Sequence, residues 1–296
     1  MSKVLYVGWF GLPETAAGIR VFQIAKLLRE SGNNVAFLCL SQPGLKENQE
    51  IQYDGFKYIR KRQFESRVKN VVNIFCGVYD LKVIKEIIEI EKPDTVIVYN
   101  DKERLTGQII SFCHKRGISV GADVTEWYEI SRSRKWDRIV AKNVDYRIRK
   151  MDKKLDYIIS ISPYFTAYYK SIGCKNVIEI PPIMDCIETD INPTVRRVRH
   201  VVYAGSPAQK DLILPFLDAV AKKNEKQVDI IADIVGVSNE QVMALMKISD
   251  PEQKGIIAYV LRGDGKSAVP QGGKPSSGNG SPQGRHRTGW RDDLQL

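Results

Sequence analysis

The sequence predicts an α/β protein built as two successive parallel-sheet units, and three observations carry that prediction. Short, nearly continuous apolar runs alternate with amphipathic segments through the first 180 residues. Strands buried on both faces by flanking helices have this character. The alternation pauses in a polar stretch around Pro193 that carries Arg196, Arg197 and Arg199, then resumes at His200. After Tyr259 it stops abruptly.

Taken in order, residues 4–7 form the first buried strand. Residues 18–30 form a helix with Val21, Phe22, Ile24, Ala25, Leu27 and Leu28 on one face and Gly32 as its stop. Strands follow at 35–40 and 56–60, a helix at 81–91 before Pro93, and a β-branched strand at 95–99. A helix at 105–114 ends near Gly117, and strands at 118–122, 157–162 and 177–180 complete the first run. The second run reads strand 200–204, helix 211–222, strand 228–234, helix 239–248 and strand 255–259. Parallel sheets bind ligands at the carboxyl ends of their strands, so the loops there are the places to search.

Composition narrows the chemistry. The 296 residues are 43% hydrophobic and 27% charged, as expected of a globular chain with real cores. No run approaches the ~18–20 apolar residues of a membrane span. The run after Met1-Ser2-Lys3 is too short for a signal-peptide core, and the expectation is a cytoplasmic protein. Five dispersed cysteines and three histidines form no ligand spacing, so neither a metal site nor a disulfide framework is expected. A net charge of +10 asks for an anionic partner.

Four stretches carry candidate chemistry. The first is the glycine-bearing loop Gly8-Trp9-Phe10-Gly11-Leu12-Pro13, leading to Gly18 and Arg20. Backbone amides at a helix start attract phosphate, Gly18 permits close approach, and Arg20 adds a charged contact. The other reading is a tight turn with close packing. The loop lacks the GxGxxG pattern, and no acidic residue ends the second strand, which disfavours a nicotinamide dinucleotide. The second stretch places Asp123 and Glu126 after a strand, where carboxylates can hold acceptor hydroxyls or act as a base. Capping of the next segment by Asp123 or Thr125 is the plainer reading. The third is a basic helix over 132–154, with Trp136, Val140, Val144, Ile148, Met151 and Leu155 as an apolar stripe among arginines and lysines. It reads as a solvated basic face or as a surface that meets anionic lipid. The fourth is strand–glycine–loop–helix: Gly205, Ser206 and Lys210 before Asp211. That geometry suits a nucleotide diphosphate, whose phosphates the amides and Lys210 would hold. A plain strand-to-helix turn is the competing account.

Residues 260–296 differ from everything before them. They hold 8 glycines and 3 prolines, and no isoleucine, tyrosine, phenylalanine or glutamate. Such a segment cannot offset chain entropy by burial and is expected to be disordered. A flexible anion-binding arm is one explanation. A shift of reading frame near codon 260 is the other, favoured because the change falls at a strand end.

Together the motifs resemble the family 4 glycosyltransferases of the GT-B fold. The carriers are the Gly18 loop, the run Leu155-Asp156-Tyr157-Ile158-Ile159-Ser160-Ile161-Ser162, the crossover Ile180-Pro181-Pro182-Ile183-Met184-Asp185, and the loop from Tyr203 to Asp211. The resemblance implies two Rossmann-like domains and no cofactor beyond a nucleotide-diphosphate sugar substrate. It assigns residues 1–187 to the acceptor side, 188–199 to a linker, and 200–259 to an incomplete donor-nucleotide domain. It implies retaining transfer of a sugar to a glycan or lipid-linked acceptor in surface polysaccharide synthesis, with Lys210 stabilising the leaving diphosphate. Contact with an anionic membrane face fits this scheme, and nucleic acid is not an expected partner. The chain departs from the family at Ser206, at Thr125 and at Pro182-Ile183-Met184, and no paired glutamates follow residue 259. Little or no transferase activity is therefore expected of this polypeptide. The alternatives are a nucleotide-sugar epimerase of similar shape and a non-enzymatic basic anion-binding module.

Overall fold

The computed structural model describes residues 1–259, apart from 13–14, 43–44, 63–65, 67, 70–71, 74–76, 100–102, 129, 131–134, 184–197 and 206–210. The chain divides into two compact units, Met1–Glu188 and Thr189–Leu296. Residues 188–197 of the expected linker, 188–199, and the segment 260–296 lie outside the described residues. Arg199, assigned above to the linker, is the first residue of a strand.

The first unit carries an eight-stranded sheet. Its strands are β1 (Lys3–Gly8), β2 (Asn34–Gln42), β3 (Gln49–Tyr53), β4 (Phe56–Arg62), β5 (Thr95–Tyr99), β6 (Ser119–Val124), β7 (Tyr157–Ser160) and β8 (Val177–Glu179), in the order β3-β4-β2-β1-β5-β6-β7-β8. The order reverses direction between β1 and β5, the switch point at which open α/β sheets bind ligands. Its helices are α1 (Ala16–Glu30), α2 (Val78–Glu91), α3 (Glu103–His114), α4 (Lys135–Tyr146) and α5 (Pro163–Ser171).

The period-2 alternation of each strand divides the core into two layers. Leu5 and Val7 of β1 join Leu38, Val96, Val98, Val120 and Ala122 beneath α2, α3 and α5. Val4 and Tyr6 point the other way, to Phe37, Ile97 and the Val21, Ile24 and Ala25 face of α1. The buried stripe of α1 is narrower than its sequence implies, because Leu27 is 43% exposed.

All neighbouring strands run parallel except β3, which pairs antiparallel with β4. Sequence reading missed this hairpin. The signal was Asp54-Gly55, where both residues take positive φ (48° and 77°), as a two-residue turn between strands requires. The third strand starts at Phe56 as expected and extends to Arg62.

Helix α4 does not run on uniformly. It passes into a π-helical turn, Arg147–Met151, and then a single 3-10 turn, Asp152–Lys154. The expected stripe holds at Val144 and Ile148, which are buried, and fails at Val140, which is 39% exposed while its neighbour Ala141 is buried. Arg147 is buried too and lies 3.6 Å from buried Asp152, whose carboxylate accepts a 2.6 Å hydrogen bond from Tyr169 Oη. The side chain of Trp136 lies outside the described residues.

The second unit holds β9 (Arg199–Ala204), α6 (Ile213–Lys223), β10 (Ile230–Val235), α7 (Asn239–Met246) and β11 (Ile256–Tyr259). The three strands are parallel, in the order β11-β10-β9. Leu217, Val220, Ala232, Ile234, Val242 and Ile256 form its core. Among the described residues, no helix is long and apolar enough to cross a membrane.

Candidate functional site

At the carboxyl end of β1, the glycine loop folds on itself. Thr15 caps α1, its Oγ1 accepting from Gly18 N at 2.9 Å, while Thr15 N donates to Gly11 O at 3.2 Å. The space beside Gly18 is taken by the protein: a Cβ there would lie 1.9 Å from Gly11 O. The close approach that this glycine permits is therefore that of its own loop, and the amide of Gly18 is already bound.

Arg20 and Asp123 form a buried pair. Arg20 Nη2 and Nε donate to Asp123 Oδ1 at 2.8 and 3.0 Å, and Tyr6 Oη donates to Asp123 Oδ2 at 2.6 Å. Strand β6 extends through Asp123 to Val124, so this carboxylate sits inside the strand and not in the loop beyond it. Alternation sends Ala122 and Val124 to one layer and Asp123 to the other. Burial pushes the Asp123 carboxyl up from the usual range, and the Arg20 charge with its hydrogen bonds pulls back. Arg20 Nη1 reaches on to the carbonyls of Ile180 at 2.8 Å and Pro181 at 3.4 Å.

Glu126 is exposed beyond the end of β6. It accepts a hydrogen bond from Tyr128 Oη, and burial followed by that bond pushes the Tyr128 phenol up. Thr125 Oγ1 lies 3.2 Å from Tyr99 Oη, and Trp127 Nε1 donates to Asp145 at 2.9 Å. Among the described residues following β6, Glu126 is thus an exposed carboxylate held by Tyr128. Further along the chain, Arg138, Ile139, Lys142 and Tyr146 share the outer face of α4, with Ile139 44% and Tyr146 50% exposed.

In the second unit, β9 is followed directly by Gly205, whose φ of +148° is a conformation for glycine. Its N–H donates to Val235 O at 2.9 Å. Beside it sits Gly236, at the end of β10, with φ +109°; a Cβ there would come within 2.7 Å of Gly205 O. Gly236 was missed in the sequence, although a glycine directly after a strand was the signal used for Gly205. Helix α6 begins at Ile213, after an N-cap residue, Leu212, whose side chain makes no cap bond. Tyr203 Oη donates to Asp211 at 3.1 Å, pinning the far side of the loop. Ser206 and Lys210 lie outside the described residues. Among the described residues, no group of three His, Cys, Asp or Glu side chains could hold a metal ion.

No family model matches the chain, and no curated protein matches it. Solved structures do. The lipopolysaccharide outer core galactosyltransferase WaaB matches with a TM-score of 0.55 at 13% identity, over 88% of this chain and 68% of that one. The fold is that of GT-B glycosyltransferases. Sucrose-phosphate synthase from Thermosynechococcus elongatus gives a TM-score of 0.60 at 13% identity, over 88% of this chain and 70% of that one. An E. coli structure described as trehalose-6-phosphate bound with UDP-2-fluoro glucose gives 0.51 at 8% identity, over 87% and 73%. At these identities the likeness is one of fold. Function rests on the residues at the strand ends.

Proposed function

We propose that the chain is a nucleotide-sugar-binding protein of the family 4 glycosyltransferase type, with the donor diphosphate held at the carboxyl end of β9. The observation that carries this reading is the paired glycine turn, Gly205 against Gly236, at the carboxyl ends of β9 and β10, with α6 next in the chain. Backbone stripped of side chains beside a helix N-terminus is a phosphate-binding arrangement. In this reading Gly205 and Ser206 offer amides, and Lys210 supplies the charge that offsets the diphosphate as it leaves. Residues 1–187 are the acceptor side and 200–259 the donor-nucleotide side, joined through 188–199.

Within the acceptor side, this reading assigns contact with an acceptor hydroxyl of a glycan or lipid-linked sugar to Glu126, which its exposure supports. Asp123 and Arg20 act beneath it as its foundation, with the Gly18 loop packed alongside. Transfer with retention in surface polysaccharide synthesis follows from the family reading.

Calorimetric titration with a panel of nucleotide-diphosphate sugars tests the reading. One member is expected to bind, and Lys210→Ala is expected to weaken it about tenfold or more, the range of one charge-assisted hydrogen bond. Failure of every nucleotide sugar to bind, alongside steeply salt-dependent binding of nucleic acid, would replace this reading with the anion-binding module.

The outer face of α4 supports a second element of the proposal, contact with an anionic membrane. Arg138 and Lys142 flank exposed Ile139 and Tyr146, the mixture of cation and apolar side chain that suits a lipid interface. Sedimentation with phosphatidylglycerol vesicles is expected to capture the protein, and phosphatidylcholine vesicles to leave it in solution. Lys142→Glu is expected to weaken capture about fivefold or more, given ~1 kcal/mol per basic residue near such a surface. Equal recovery with both lipids would remove membrane contact from the proposal.

A further inference from the structure

The chain leaves the first unit through Ile180-Pro181-Pro182-Ile183, and this stretch has an unusual holding problem. The sheet ladder ends with β8 at Glu179, and its last bond runs from Ile180 N to Ser160 O at 2.8 Å. Two successive prolines carry no N–H, so the ladder cannot go further. What this stretch can offer to a polar partner is carbonyl oxygen. Its Ile180 and Ile183 side chains rest partly buried on the layer beneath α1.

Arg20 answers that need from the other side of the layer. Its guanidinium is planar and has five N–H donors in a fixed fork. Nε and Nη2 are committed to Asp123, and Nη1 is left pointing at the Ile180 and Pro181 carbonyls, at 2.8 and 3.4 Å. Tyr6 Oη fixes the Asp123 carboxylate in turn. One line of contacts therefore runs from β1 through β6 and α1 to the departing chain.

We infer that Arg20 is a latch, a positioning residue that fastens the exit segment of the first unit to that unit's own core. The Asp123 pair aims the guanidinium, and the two carbonyls are its load. The inference is independent of the proposed activity, since it concerns only where the chain leaves the first unit. A lysine in place of Arg20 keeps the charge beside Asp123 but loses the fork, so it separates the latch from the ion pair.

Hydrogen exchange on the full chain, resolved by residue, tests this. In Arg20→Lys the Ile180 amide is expected to exchange about tenfold faster or more, as expected from loss of charge-assisted bonds to the exit segment. The core amides of Val7 and Ala122 are expected to change far less. Tyr6→Phe, which loosens only the aim of Asp123, is expected to show the same selectivity with a smaller amplitude, and serves alone if Arg20→Lys does not fold. Unchanged protection at Ile180 would overturn the latch. So would acceleration of Ile180, Val7 and Ala122 by one common factor, which would make Arg20 a core residue without a specific hold on the exit.

Discussion

Asp123→Ala is expected to destabilise the first unit by about 3–5 kcal/mol, because it leaves the Arg20 guanidinium buried without its counter-charge. Arg20 is 6% exposed and Asp123 fully buried, so water cannot replace the lost partner without opening the layer between α1 and β6. The Tyr6 hydroxyl loses its acceptor in the same step. The expected result is a urea midpoint shifted down with an unchanged slope, read by far-UV circular dichroism. Asp123→Asn keeps an acceptor oxygen for one of the two donor side chains, Arg20 and Tyr6, and is expected to lose less. A midpoint that does not move in Asp123→Ala would mean that the pair is solvated in solution, and it would undermine the latch as well. If Asp123 instead served as a general base facing substrate, Asp123→Asn would leave stability intact.

The strand–helix alternation was legible because parallel strands covered on both faces need apolar side chains at nearly every position, and 4–7, 35–40 and 95–99 supply them. Ends of strands were less legible. Asp123 breaks the apolar run of β6, so the sequence reads as a strand that stops at Ala122; only the partner charge on α1, over a hundred residues earlier, makes a carboxylate tolerable inside. Arg20 is the same case seen from the helix, a cation on a face expected to be apolar. Neither pairing leaves a local signature, because buried ion pairs are set by tertiary contact. The β3–β4 hairpin did have one in Asp54-Gly55. It was overlooked because β3 is an edge strand with a largely exposed, polar sequence, Gln49–Tyr53. The stripe on α4 was misread at Val140 for a different reason: the larger apolar residue was given the core-facing place that its neighbour Ala141 takes.

Gly18→Ala sets two opposed effects against each other, and the magnitudes decide the sign. Gly18 lies inside the first turns of α1, and on an open helix surface alanine would be favoured over glycine by about 1 kcal/mol. Here the new methyl carbon would stand 1.9 Å from Gly11 O and 2.7 Å from Gly11 C. These are backbone atoms of a loop tied down by Thr15, so relief requires the loop to move and the Thr15 cap to open. Overpacking of this kind typically costs about 1–3 kcal/mol, and loss of a cap about 1 more. A net loss of about 1–3 kcal/mol is expected, measured as a lowered denaturation midpoint. Gly107→Ala in α3 is the control, for its added carbon would meet only Met151 Cε, at 2.6 Å, the mobile end of a flexible side chain. That variant is expected to lie near wild type. Equal behaviour of the two variants would mean that the Gly11 carbonyl yields as easily as a methionine methyl, and that the Gly18 loop is not a fixed turn.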